Sequence, residues 1–155
     1  MAARILDGTK IAAEIRTEVA AQAKALALSG LRPGLAVVLV GHNPASEVYV
    51  RGKVKSSEEV GLYSEQYTPA ESATTEELLA LIADLNRRDE IDGILVQLPL
   101  PAHVDAKKIL LAVDPAKDVD GFHPMNVGYL STQRPGLVPC TCLLYTSLKR
   151  KSENI

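Results

Sequence analysis

Tryptophan is absent from this chain, phenylalanine occurs once and tyrosine five times, so aromatic residues make up only 4% of the 155. Binders of single-stranded nucleic acid stack bases on aromatic platforms, and this composition supplies few. A basic excess is missing too. Seventeen Lys and Arg stand against 19 Asp and Glu, a net charge of −2, which removes the usual electrostatic footprint of a nucleic-acid or polyanion partner. No stretch approaches the roughly 18 apolar residues of a membrane span. The opening Met1-Ala2-Ala3-Arg4-Ile5-Leu6-Asp7 has no apolar run of leader length. Cysteine is scarce: Cys140 and Cys142 are too few for a closed zinc site or a disulfide framework. The expectation is a cytoplasmic protein with free thiols, no metal, no nucleic-acid partner and no membrane.

What is present is ordinary for a globular domain: 46% hydrophobic and 23% charged residues. A chain of this length buries about 70% of its unfolded surface in one core. Ile11, Ile15, Val19, Gln22/Ala23 and Leu26 recur at helical spacing and Gly30 closes the run, so the periodicity predicts a helix with those residues on its packed face. Residues 35–40 are a continuous apolar run, as in a strand covered on both faces. Asn43 then suits an N-cap and Pro44 a first helical residue, opening a helix from 44 to about 60 that Gly61 closes. A weaker strand is expected over 62–68. Thr74 and Glu77 form a capping box for a helix over 74–88, with Leu78, Leu81, Ile82 and Leu85 on its apolar face. A third strand is expected over 94–98, ended by Pro99 and Pro101, whose exit loop is a candidate for a cis bond. A short helix is expected over 105–112. No internal repeat interrupts the order. This alternation predicts an α/β fold, a three-layer αβα sandwich with a mainly parallel sheet.

Ligands of such sheets gather outside the carboxyl ends of the strands, here 41–55, 97–101 and the loop 117–126. Tyr49 and Lys53 are four apart on one helix and share a face, so a phenol and an amine stand side by side. That pair suits proton transfer, and it also suits an ordinary solvated helix surface. Lys55 points elsewhere and reads as a surface charge. Gly52, in mid-helix, costs roughly 1 kcal/mol relative to Ala and suggests close backbone packing. Gln97 ends an apolar strand, where its amide must bond either a core backbone group or a group in the pocket. Asp118, Asp120 and His123 invite a metal reading, but their spacing is not that of an EF-hand loop. A carboxylate over a pocket can instead accept two N–H donors from a heterocycle, and Asp and Gly are turn residues in their own right. His42, His103 and His123 carry no ligand signature. No G-x-G-x-x-G, G-x-x-x-x-G-K-[ST] or G-x-S-x-G occurs, so the chain offers no dinucleotide, P-loop or nucleophile-elbow motif.

Four segments in order resemble one family. They are Asn43-Pro44-Ala45-Ser46 with Tyr49-x-x-x-Lys53-x-Lys55; Asp92-Gly93-Ile94-Leu95-Val96-Gln97-Leu98-Pro99-Leu100-Pro101; Lys117-Asp118-Val119-Asp120-Gly121-Phe122-His123-Pro124; and Pro139-Cys140-Thr141. Together with Ile5-Leu6-Asp7-Gly8 they are similar to the bifunctional methylenetetrahydrofolate dehydrogenase/cyclohydrolases over residues 1 to about 141. The resemblance implies a catalytic domain that holds tetrahydrofolate against a Rossmann domain carrying NADP, in a homodimer. It implies oxidation of 5,10-methylenetetrahydrofolate to the methenyl form and hydrolysis of that to 10-formyltetrahydrofolate. It makes Lys53 the catalytic lysine and Tyr49 its helix partner. Gln97 would hold Lys53 in a usable protonation state, Asp120 would bind the N–H edge of the pterin, and Val96 and Leu98 would line the same wall.

Cys142 stands where the family continues with Pro, and residues 142–155 have no counterpart in its pattern. They are expected to be a tail foreign to the fold, with the Rossmann domain and its NADP site absent from this chain. Oxidation by this chain alone is then not expected. The alternative is a non-catalytic folate-binding or subunit-interaction module. A flavodoxin-like signalling domain would need a carboxylate cluster after the first strand, which Gly41-His42-Asn43 does not supply.

Overall fold

The computed structural model describes residues 6–132. In chain order the elements are α1 (Gly8–Leu28), β1 (Gly34–Val38), α2 (Pro44–Glu59), β2 (Tyr63–Tyr67), α3 (Thr75–Arg87), β3 (Gly93–Val96), α4 (Ala106–Ala112) and α5 (Pro124–Ser131). The strands form one parallel sheet in the order β2-β1-β3, with Gly34 opposite Tyr63 and Leu35 opposite Gly93. The expected α/β class with a parallel sheet is therefore present.

Alternation along the strands assigns the layers, because successive side chains face opposite sides of a sheet. Ala36, Val38, Ile94 and Val96 face Leu78, Ile82 and Leu85 of α3 and Ile109 of α4, forming the larger core cluster. Val37, Leu39 and Leu95 face Val50 and Val54 of α2 on the other side. The chain leaves β1 through α2 to reach β2, then crosses the other face through α3 to reach β3. The connections out of β1 and β3 thus part company between two neighbouring strands, which is where open α/β sheets place a crevice.

Local sequence explains the boundaries. Asn43 Oδ1 accepts from the Ser46 N–H at 3.1 Å and caps α2. Thr74 Oγ1 accepts from the Glu77 N–H at 3.2 Å while the Glu77 carboxylate accepts from the Thr74 N–H at 2.8 Å, completing the capping box of α3. The other end of α3 is held by Lys117, whose Nζ donates to the carbonyls of Asn86 and Arg88, both at 2.8 Å. Asp92 Oδ2 accepts from the Gly34 N–H at 2.8 Å and ties the approach to β3 to the start of β1. A Cβ at Gly34 would lie 1.9 Å from the Glu90 carbonyl oxygen, so only glycine fits there. The Leu98–Pro99 bond is cis.

Three expectations are corrected. The loop expected over 117–126 gives way at its end to α5, which His123 caps, with Nδ1 accepting from the Met125 N–H at 3.2 Å, and Pro124 starts. In α1 the predicted packed face is largely open: Ile11 is 38% exposed, Ile15 and Leu26 41% each, and Ala23 alone is buried, because the described residues place no element over the helix's early turns. A Cβ at Gly52 would meet nothing within 4 Å, so no close packing requires that glycine.

Candidate functional site

β1 and β3 end side by side, and the segments that follow them supply the site. Lys53 lies on α2, one turn after Tyr49, and is half-buried. Gln97 is the first residue past β3; its backbone N–H donates to the Val38 carbonyl at 2.8 Å, which locks it to the end of β1. Lys53 Nζ donates to Gln97 Oε1 at 3.2 Å. The Gln97 amide Nε2 donates to the Leu98 carbonyl at 2.8 Å, so the oxygen is left facing the lysine. Gln97 thus meets both kinds of partner, a side chain through its oxygen and a backbone carbonyl through its nitrogen. A hydrogen bond to a charged group is worth roughly 1.5–3 kcal/mol, enough to hold a long lysine side chain in one place.

The loop 118–123 brings in the third group. Ile94 donates its N–H to the Lys117 carbonyl at 2.7 Å, fastening the loop's start beside β3. Val119 packs into the smaller core cluster alongside Val54, over Gly93, whose missing Cβ would lie 2.5 Å from Val119 Cγ1. Asp120 then stands partly buried within the field of Lys53. Burial pushes its carboxyl above the ordinary aspartate range, the Lys53 ammonium opposes that shift, and the charge of Asp118 adds to it. A partly buried carboxylate in the field of a lysine can accept N–H donors from a ligand and exchange protons with it.

The remaining sequence candidates fall into place around this centre. Tyr49 is 68% exposed on the open side. Val96, expected to line the site, is instead 4% exposed and packs into the larger core cluster on the α3 side of the sheet, away from α2, whereas Leu98 is half-buried. Lys55 pairs with Glu59 at 3.8 Å on the helix surface. The histidines are dispersed: His42 Nδ1 meets Glu47 at 3.2 Å, His103 Nε2 meets the Ala73 carbonyl at 2.9 Å, and His123 caps α5. Among the described residues no three His, Cys, Asp or Glu side chains gather to hold a metal ion. Sequence reasoning missed Asn126, whose buried amide reaches Asp118 at 3.0 Å. Its signal was the His123-Pro124 pair, the same capping grammar as Asn43-Pro44. Cys140, Cys142 and the Pro139-Cys140-Thr141 motif lie outside the described residues. No described helix is long and apolar enough to cross a membrane.

A dinucleotide needs a glycine-rich strand-to-helix turn at its pyrophosphate. The turn after β1 carries the single glycine Gly41 and the segments after β2 and β3 carry none, so the described strand ends do not fit that group.

Comparison with known proteins agrees with this geometry. Residues 6–120 match the family described as tetrahydrofolate dehydrogenase/cyclohydrolase, catalytic domain. The bifunctional protein FolD of Koribacter versatilis is 72% identical over 141 residues, which is 91% of this chain and 46% of that protein. The crystal structure of the bifunctional FolD methylenetetrahydrofolate dehydrogenase/cyclohydrolase from Campylobacter jejuni superposes with a TM-score of 0.90 at 46% identity, covering 98% of this chain and 54% of the other. The Trypanosoma brucei FolD structure, solved with NADP and an inhibitor, gives 0.86 at 33% identity, covering 97% and 52%. The chain spans about half the length of the relatives it matches. With the matched region covering the lysine, the glutamine and the aspartate of the site, this chain belongs to the tetrahydrofolate dehydrogenase/cyclohydrolase family through its catalytic domain.

Proposed function

We propose that this chain supplies the folate-binding wall of a bifunctional methylenetetrahydrofolate dehydrogenase/cyclohydrolase. The observation that carries the reading is the Lys53–Gln97 hydrogen bond of 3.2 Å with Asp120 beside it, at the carboxyl ends of adjacent parallel strands. Asp120 accepts from the N–H edge of the pterin. Tyr49 offers a hydroxyl one helical turn from Lys53, and Leu98 gives the apolar surface. In the hydrolytic half-reaction, water adds to the electrophilic methenyl carbon and loses a proton. The bond from that carbon to N5 then breaks as N5 takes up a proton and the new hydroxyl gives up its own, so that its oxygen becomes the carbonyl of the formyl group left on N10. Lys53 is the group placed to carry those protons, and Gln97 fixes where its ammonium points. The oxidative half-reaction delivers a hydride to NADP and needs the substrate carbon placed against a nicotinamide. The described strand ends hold no turn for that nucleotide, so oxidation is assigned to the longer family enzyme.

We further propose that the catalytic unit spans residues 1–141, a range that contains the 6–120 of the family match. Residues 142–155 form a tail outside the family pattern. Homodimerisation is proposed on the resemblance, and a cytoplasmic location on the scarcity of cysteine.

Titration calorimetry with tetrahydrofolate, together with the rate of methenyltetrahydrofolate hydrolysis, tests the reading. Saturable binding and a hydrolysis rate that Lys53→Ala abolishes are the expected results. Binding without any Lys53-dependent turnover would identify the non-catalytic module instead. That outcome has a structural basis in the openness of the site on the Tyr49 side.

A further inference from the structure

We propose that Asp118 is the positioning residue of this site: its buried carboxylate folds the loop 118–123 into the shape that presents Asp120 to Lys53. The inference rests on the folate reading for its purpose and on geometry of its own for its substance. Asp118 is 5% exposed and takes no part in ligand binding as read above. Its Oδ1 accepts from the Gly121 N–H at 3.1 Å, and its Oδ2 accepts from the His123 N–H at 2.8 Å and from Asn126 Nδ2 at 3.0 Å. Three donors therefore converge on one carboxylate, which offsets the cost of burying it.

The loop can close around that point because Gly121 adopts φ +69°, a conformation side-chain-bearing residues rarely take. Both ends of the loop are fastened independently. Its start is bonded to Ile94 of β3, and Asn126, in the first turn of α5, donates at 2.9 Å to the Pro115 carbonyl as well as to Asp118. Asp120 is thus the free middle of a loop whose frame is Asp118. An amide at position 118 would keep the shape but turn an N–H₂ group toward N–H donors, losing acceptance on one side.

The test is Asp118→Asn in the full 155-residue protein, read in two ways. First, amide hydrogen exchange at Gly121 and His123 should speed up by about tenfold, while Leu85 and Ile94 exchange as before. Second, the dissociation constant for tetrahydrofolate should rise about tenfold in the single variant but less than about twofold when Asp120→Ala is already present, since a residue acting through Asp120 has nothing left to position. Affinity costs that multiply in the double variant, or exchange that rises equally across the sheet, would make Asp118 a general stabiliser and overturn the proposal. If the unaltered protein takes no tetrahydrofolate, the folate reading falls, and the exchange pattern alone decides whether Asp118 frames the loop. Should Asp118→Asn fail to fold, Asn126→Ala removes one of the three donors, and the same silence on Asp120→Ala is required of it.

Discussion

Burial and the charge of Asp118 push the Asp120 carboxyl above the ordinary aspartate range, and Lys53 only partly opposes them. The folded chain therefore holds that proton more tightly than the unfolded chain does. The stabilisation is complete below the unfolded pKa and is lost as pH rises through the folded one. At neutral pH Asp120 is a charge the fold would be more stable without. Asp120→Asn is expected to raise the Tm at neutral pH, with the gain vanishing in acid, and to weaken tetrahydrofolate binding at every pH. Melting curves across pH, paired with titrations, check both halves. Glu65 has the opposite sign. The Arg88 guanidinium and the hydroxyls of Tyr63 and Tyr67 hold its carboxyl at about 2. Its contribution is present above the usual glutamate range and is lost as pH falls from about 4.5 toward 2. Glu65→Gln should accordingly be less stable than the unaltered protein at neutral pH and converge with it near pH 2.

Among the elements, helix ends and helix interiors give separable effects. Thr74→Ala removes the capping box of α3 and should cost about 1 kcal/mol. Gly52→Ala fills open space in α2 and should stabilise by roughly 0.5–1 kcal/mol. Chemical denaturation midpoints at constant slope test the pair. The same local grammar explains what could be read in advance. α2 and α3 were legible because cap, periodicity and stop all agreed, and β1 because its apolar run is continuous. β3 stops at Val96, short of the expected 98, because Gln97 turns its amide to Lys53 and Pro99 follows. α5 went unread because Gly128 in its middle and the polar Asn126 in its first turn blur the helical period, leaving only the His123-Pro124 cap as a signal. Lys53, Gln97 and Asp120 were nameable as candidates, two of them by strand-end position or helix spacing. That Gln97 meets Lys53 was implied by the family resemblance and by nothing in the spacing, since residues 44 apart in sequence touch only through the sheet order.

For the molecule as a whole, stability is concentrated on the α3 side of the sheet and thins toward α1. Ile82 is 1% exposed and Ile15 41%, although both follow helical periodicity equally well. Ile82→Ala is expected to cost about 2–5 kcal/mol and Ile15→Ala well under about 1 kcal/mol, as equilibrium unfolding would show. Sequence pattern marks a face as apolar but carries no information on what covers it, which is why α1 reads as core and stands open. The order β2-β1-β3 also sets a timetable. The edge strand made second in the chain is not a wall of the site; the strand made third is. A growing polypeptide can pair β1 with β2 and still present no pocket, because Lys53 has no Gln97 to meet. On the proposed folate reading, capture of the ligand during synthesis would therefore have to wait until the segment reaching Asp120 has left the ribosome.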